Sequence, residues 1–279
     1  AILVLDFFTM GNVLVSLVQV KSDDQESPTS RYERVLAEVV DLAQGTHRSL
    51  KNKKPDLILL PELWHYGPFN VESAINNPTT FPGEISEVFC DIASTHGVWI
   101  HAGSFIESQD NSLFNTSLII NSQGEIAATY KKIHLFGFQE GESKYLTRGD
   151  DLVCIATPLG MTAITTCYDL RFPELFRKLV DKGATSVLMT SGWPEARIEH
   201  WKALAKARAI ENQVYFLGCN GVGTNNKTEL GGSSLVIDPW GEVLTKDEKD
   251  ETVLNIEFDL QKVNIVREKL PVLADRIIY

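Results

Sequence analysis

The sequence predicts one α/β domain, on three observations. Strand-like and helix-like segments alternate along all 279 residues. No low-complexity linker, composition break or short repeat divides them. The strands are short apolar runs of the kind that helices bury from both sides. A chain of this length is long for one domain, yet single α/β domains of this size are routine. Its 43% hydrophobic content is enough for a large core.

The first regular strand begins near Val13, and residues 13–20 are β-rich. Residues 32–50 carry helical spacing in Val35, Leu36, Val39, Leu42 and Ala43. Residues 56–60 form a short apolar strand that stops at Pro61-Glu62. A helix over 84–94 precedes strands over 98–105 and 113–120. Ser122-Gln-Gly-Glu125 turns the last of these into 126–130 as a hairpin. Residues 132–151 are a polar, glycine-containing connection. The second half repeats the theme: strand 161–166, helix 173–181, strand 185–190, helix 198–212, strand 214–219. A hairpin through Asp238-Pro-Trp-Gly241, a strand over 252–258 and a tail over 260–279 complete the chain. The two βα halves point to a two-sheet sandwich with pseudo-symmetry.

Charge excludes some function classes. A formal net charge of −11 argues against nucleic acid or an anionic membrane as partner. Lys51 to Lys54 is the main basic cluster and reads as the end of a solvated helix. No apolar run approaches the ~20 residues of a membrane helix. The start, Ala1-Ile-Leu-Val-Leu-Asp-Phe-Phe8, lacks the basic flank of a signal peptide, so residues 1–9 read as an appendage or an interface segment. Cys90, Cys154, Cys167 and Cys219 show neither zinc spacing nor a disulfide framework, which fits a reducing cytoplasm. Asn115-Thr-Ser and Asn226-Lys-Thr match the glycosylation pattern, which has no meaning there.

The chemistry is carried by three segments. In Met161-Thr-Ala-Ile-Thr-Thr-Cys167 a β-branched run ends in a thiol, followed by polar residues and a helix start at Pro173. An α/β fold presents a nucleophile at the carboxyl end of a strand in this way. An isolated cysteine is more often a buried small hydrophobe; here its company decides otherwise. Glu62 ends an apolar strand in the other half, where desolvation raises a carboxylate into the range of a general base. Lys131 and Lys132 are adjacent, so they face opposite ways and one of them points inward. That lysine would stabilise an oxyanion and lower the thiol pKa.

Together these segments resemble the nitrilase (carbon–nitrogen hydrolase) superfamily, whose Glu-Lys-Cys set occurs in this order. Pro61-Glu62 matches its base motif, Lys132-Ile-His134-Leu135 its lysine motif, and Cys167-Tyr-Asp-Leu-Arg-Phe-Pro-Glu174 its nucleophile elbow. The resemblance runs from about Val13 to Tyr279 and selects Lys132 over Lys131. It implies a four-layer αββα sandwich. It also places a second, lysine-positioning glutamate at Glu140, with Glu142 and Glu125 nearby. The run Ser191-Gly-Trp193-Pro194-Glu-Ala-Arg197 and its continuation to Gly223 is similar to the omega-amidase-like branch. That branch hydrolyses the terminal amide of α-keto acid amides such as 2-oxoglutaramate.

The resemblance implies acyl transfer without metal or organic cofactor. Glu62 takes the Cys167 proton, the thiolate attacks, and Lys132 with the Tyr168 backbone N–H holds the oxyanion. Arg197 anchors the substrate carboxylate, Trp193 walls the acyl chain, and Phe138 or Trp64 closes the pocket. The expected partners are a small amide and a second copy of the chain, paired through the helix 173–181 and the tail over 260–279. His96 and His101 read as surface polar groups flanking a strand; the histidines show no metal-binding spacing. Gly218-Cys-Asn-Gly-Val-Gly223 opens no helix, so it is no nucleotide loop. The rival activities are N-carbamoyl amino acid hydrolysis and nitrile hydrolysis. The rival from another class is a catalytically idle binding protein on this fold.

Overall fold

The computed structural model describes residues 11–51, 53–137 and 141–278. The first half contains strands β1 (Asn12–Gln19), β2 (Lys21–Ser22), β3 (Leu57–Leu59), β4 (Trp99–Gln109), β5 (Ser112–Ile120) and β6 (Ile126–Lys131). Its helices are α1 (Pro28–Gln44), α2 (Val71–Ile75), α3 (Glu84–His96) and, leading into the second half, α4 (Glu142–Tyr145). The second half holds β7 (Cys154–Thr157), β8 (Gly160–Thr166), β9 (Ser186–Ser191), β10 (Tyr215–Asn220), β11 (Val222–Asn225), β12 (Thr228–Gly231), β13 (Leu235–Ile237) and β14 (Thr252–Asp259). With them go helices α5 (Pro173–Asp181), α6 (Ile198–Asn212) and α7 (Lys262–Lys269).

One sheet runs β14-β1-β3-β4-β5-β6 and a second runs β13-β10-β9-β8-β7. In the first, β14 returns from the end of the chain to pair antiparallel with β1, Asn12 opposite Asp259. A small sheet, β12-β11-β2, takes strands from both halves.

Side-chain alternation builds the layers. In β3 Leu57 and Leu59 face the second sheet, whereas Ile58 joins Val35, Val39 and Leu42 of α1 and Phe89 of α3. In β9 Leu188 faces the first sheet, whereas Val187 and Met189 pack with Phe176 of α5 and Trp201 of α6. The order is therefore helices, sheet, sheet, helices, as the family resemblance implied. Ser27 caps α1 by accepting the Ser30 N–H at 3.1 Å, and Gly45 ends it in the left-handed region.

Some local expectations are corrected. Helix α1 stops at Gln44, so Lys51, Lys53 and Lys54 lie in a loop rather than on a helix end. His101 is no surface group: it is fully buried in β4. The tail contains α7, whose Val263 and Val266 are buried. Helix α5 turns its apolar residues Leu175, Phe176, Leu179 and Val180 into its own core, so the face left outside is polar.

Candidate active site

Strand β8 ends at Thr166, and the next residue, Cys167, has φ 41°. A non-glycine residue in the left-handed region is strained by ~1–3 kcal/mol and persists only where its surroundings fix it. The fixing group is Asp169, fully buried in the short 3-10 turn Cys167–Arg171. Its carboxylate accepts the Thr166 N–H at 2.9 Å, the Tyr130 hydroxyl at 2.6 Å and the His134 N–H at 3.1 Å. His134 Nδ1 lies 2.7 Å from the same carboxylate, and its ring stacks on Phe172. Asp169 thereby ties the cysteine turn to the segment that carries Lys132.

Glu62 follows β3 on a turn seated against a bulge in β4 between His101 and Ser104. Gly103 sits in that bulge at φ 77°, and a Cβ there would stand 2.2 Å from the Pro61 carbonyl oxygen. Leu63 N–H bonds the Ser104 hydroxyl at 3.2 Å. On the far side, Gly192 after β9 donates its N–H to Glu62 Oε2 at 3.0 Å; a Cβ at this glycine would meet Pro68 at 2.3 Å. Both close approaches require glycine.

Lys132 is buried, and its Nζ lies 2.6 Å from Glu62 Oε1 and 2.6 Å from Glu142 Oε2. The Phe136 N–H also donates to Glu142 Oε2, at 2.9 Å. Lys131 points the other way, over the Phe114 ring. The two lysines thus take opposite faces, with Lys132 inside. Glu140 lies outside the described residues; the second carboxylate on Lys132 is Glu142.

Burial raises the Glu62 carboxyl above its ordinary value; Lys132 opposes the rise and Glu142 adds to it. For Lys132, burial pulls down, but Glu142 and Glu62 hold the ammonium well above its ordinary value. Burial, then the Glu62 charge, pushes the Cys167 thiol well up, and Lys132 does not overcome them. Lys132 does lower the thiol, as expected, but burial and the Glu62 charge outweigh it. With both carboxylates ionised, the cluster carries one net negative charge. Ionising the thiol alone would add another, whereas handing its proton to Glu62 leaves the charge unchanged. Transfer of the thiol proton to Glu62 therefore conserves the charge of the cluster, whereas loss of that proton to solvent does not.

The cluster forms the floor of a cavity of about 880 Å³. Glu62, Lys132, Glu142 and Cys167 line it together with Tyr168, Trp193, Arg197, Phe136 and Arg171. Trp193 is fixed by its N–H to Asn220 Oδ1 at 2.6 Å and by its indole N–H to the Arg197 carbonyl at 2.7 Å. The Arg171 guanidinium covers the Trp193 ring at 4.7 Å, and that of Arg197 lies 5.7 Å from the Phe136 ring centre. Among the described residues neither arginine forms an ion pair. Trp64 does not reach the cavity: it is buried between α1 and β4, stacked on Tyr32 and donating its indole N–H to Ala102. Its breadth suits that core layer better than a pocket wall. Phe138 lies outside the described residues.

Sequence reasoning did not single out Phe136, Arg171, Asp169 or Gly192. Asp169 and Arg171 stand inside the cysteine motif itself, a signal that was available. Phe136 and Gly192 are brought in by long-range packing.

Glu62 and Cys167 thus follow the carboxyl ends of β3 and β8, where α/β folds gather their functional groups. The carbon-nitrogen hydrolase family model matches residues 14–268, and the chain belongs to that family. It is 38% identical over 274 residues to a 2-oxoglutaramate amidase of Paenarthrobacter nicotinovorans, covering 95% of this chain and 90% of the relative. A 2-oxoglutaramate amidase of Bacillus subtilis (strain 168) is 37% identical over 228 residues, 81% of this chain and 86% of that protein. The crystal structure of XC1258 from Xanthomonas campestris, a CN-hydrolase superfamily protein with an arsenic adduct in its active site, superposes with a TM-score of 0.85. Its sequence identity is 27%, over 97% of this chain and 99% of that one.

Proposed function

We propose that the chain is a cysteine-dependent amidase that hydrolyses the terminal amide of an α-keto acid amide such as 2-oxoglutaramate. The observation that carries this reading is the arrangement of one cavity. A buried Glu62–Lys132–Glu142 cluster and Cys167 lie at its floor, and two guanidinium groups that form no ion pair among the described residues lie against its aromatic walls. The likeness to two 2-oxoglutaramate amidases supports the choice of substrate.

The reaction balances as follows. Glu62 takes the thiol proton while the Cys167 sulfur bonds to the amide carbon. Lys132 and the Tyr168 backbone N–H, in the first turn after the cysteine where N–H groups lack intrahelical acceptors, hold the oxyanion. Glu62 passes its proton to the departing nitrogen, the carbon–nitrogen bond breaks, and ammonia leaves a thioester. Water then gives a proton to Glu62 and its oxygen bonds to the acyl carbon. The carbon–sulfur bond breaks, the acid departs, and the proton returns to sulfur. Glu142 keeps Lys132 in place throughout. The carboxylate of the keto acid pairs with Arg197, whose planar fork suits bidentate binding.

Ammonia release from 2-oxoglutaramate, 2-oxosuccinamate, N-carbamoyl amino acids and nitriles tests the proposal. Turnover of the keto-acid amides, abolished in Cys167→Ala, supports it. Carbon dioxide released with ammonia would make the chain a carbamoyl amidohydrolase instead. Turnover of nitriles alone would make it a nitrilase.

The setting and assembly belong to the same reading. The cysteines are free, and no described helix is long and apolar enough to cross a membrane; we place the protein in the cytoplasm. A homodimer is supported by exposed apolar side chains: Trp240 in the turn before β14 is 54% exposed, and Ile277 and Ile278 at the end of the chain are each 90% exposed. A monomer mass by light scattering at micromolar concentration overturns the dimer.

A further inference from the structure

Asn115, in β5, touches each member of the charged cluster. Its Nδ2 lies 2.9 Å from Glu62 Oε1 and 2.6 Å from Glu142 Oε1, and its backbone carbonyl accepts the Lys132 N–H at 2.9 Å. The side chain is fully buried and does not line the cavity. Two carboxylates are acceptors only, so the amide presents its NH₂ to both, one hydrogen to each. That orientation leaves Asn115 Oδ1 buried without a hydrogen-bond partner. An asparagine chosen for packing or stability alone would not hold a carbonyl in this condition. The Asn115-Thr-Ser sequence has a glycosylation pattern, but its amide is enclosed and committed to the two glutamates.

We propose that Asn115 is a positioning residue for the amidase reaction: its NH₂ spans Glu62 and Glu142, aims both at Lys132, and keeps Glu62 available to accept the Cys167 proton. This rests on the reading of Glu62 as the base. Donors on a carboxylate favour its ionised form. Without Asn115, Glu62 loses one donor, faces Glu142 unscreened by an amide, and binds its proton at higher pH.

The test compares wild type, Asn115→Ala, Asn115→Asp and Glu62→Gln. Two profiles are recorded against pH: kcat/KM on 2-oxoglutaramate, and the rate of Cys167 alkylation by iodoacetamide, which needs no turnover. Asn115→Ala is expected to move the acid limb of both profiles up by about one pH unit. Its kcat should fall ~10–100-fold, the scale of losing an outer-shell partner, with KM nearly unchanged. Asn115→Asp keeps the shape, so it serves if the alanine variant fails to fold; its added negative charge moves the limb further up. Acid limbs coinciding with wild type in the folded variants overturn the proposal, whatever happens to Tm. A wild-type acid limb that survives Glu62→Gln sinks the base reading instead, a separate result.

Discussion

Glu62 Oε1 accepts a hydrogen bond from Lys132 Nζ at 2.6 Å, although the two residues stand 70 positions apart. Both are buried, and neither charge is replaceable by water once its partner is gone. The pair joins the turn after β3 to the segment after β6, so the first sheet supplies both groups. The cysteine comes from β8 in the second sheet. The sandwich of two sheets is thus what brings Glu62 and Cys167 together.

Exchanging either member of that pair should remove turnover for different reasons. Glu62→Gln keeps shape but cannot accept the thiol proton, and kcat should fall ~10²–10⁴-fold, the usual contribution of general acid–base catalysis. Lys132→Met should be at least as damaging, since it removes charge that serves the transition state. Lys131→Met should be nearly silent. Steady-state kinetics decides; interchanged phenotypes of the two lysine variants would mean the strand faces are inverted.

The second carboxylate is assigned by the same assay. Glu142→Gln withdraws one of the two charges that hold the Lys132 ammonium, and kcat should drop by about tenfold or more, the lower range for an outer-shell partner. With the role assigned to Glu142, Glu140→Gln should leave kcat within about twofold. A loss confined to Glu140→Gln would return the role to that residue.

How much of this was legible in the sequence depends on how local the cause is. The helices over 173–181 and 198–212 were read with the bounds later seen for α5 and α6, because proline opens one and an apolar strand follows the other. Cys167 was legible because a β-branched strand stops at it. Helix α7 was not: only Val263 and Val266 turn inward, too few to set a period. His101 was misplaced because its chemistry suggests water, while its place in β4, between the inward-facing Ile100 and Ala102, buries it on the opposite face. Trp64 and Asn115 depend on residues far along the chain, and no local pattern reports such contacts.

Activity should fall on the acid side at a pH above the ordinary glutamate range. Burial raises Glu62, and the base form is lost as pH falls through that raised value. The acid limb of kcat/KM should therefore lie above about 4.3, the free glutamate value. A limb at or below that value would mean the carboxylate is not desolvated in the working enzyme.

Acid should also weaken the fold through His101. Burial pushes this imidazole down to about 3, so the folded state keeps it neutral where the unfolded chain binds a proton. Its contribution is complete above the unfolded value of about 6.5, and falls by about 1.4 kcal/mol per pH unit below it, until the folded value is reached. Asn at this position retains an acceptor for the Gly103 N–H, which now bonds His101 Nδ1 at 3.2 Å. Urea unfolding at pH 7.5 and 5 should show a smaller acid loss for His101→Asn than for wild type. Equal losses would assign the acid sensitivity elsewhere, with His65, also held down to about 4 by burial, the next group to exchange.

Specificity should turn on Arg197. Its segment follows β9, next to the cysteine strand β8, so its guanidinium shares the cavity with Cys167 and faces the Phe136 ring. A substrate carboxylate bound there would leave a half-empty charge pair when the cation is truncated, at ~2–5 kcal/mol. Arg197→Met should raise KM for 2-oxoglutaramate by the corresponding factor while sparing an uncharged short amide of similar length. Arg171→Met is the comparison, because that guanidinium lies on Trp193 in the same cavity. If Arg171→Met alone shows the selective loss, the carboxylate sits over Trp193 rather than Phe136. Equal losses on both substrates for both variants would make the arginines structural, and the keto-acid specificity would fall with them.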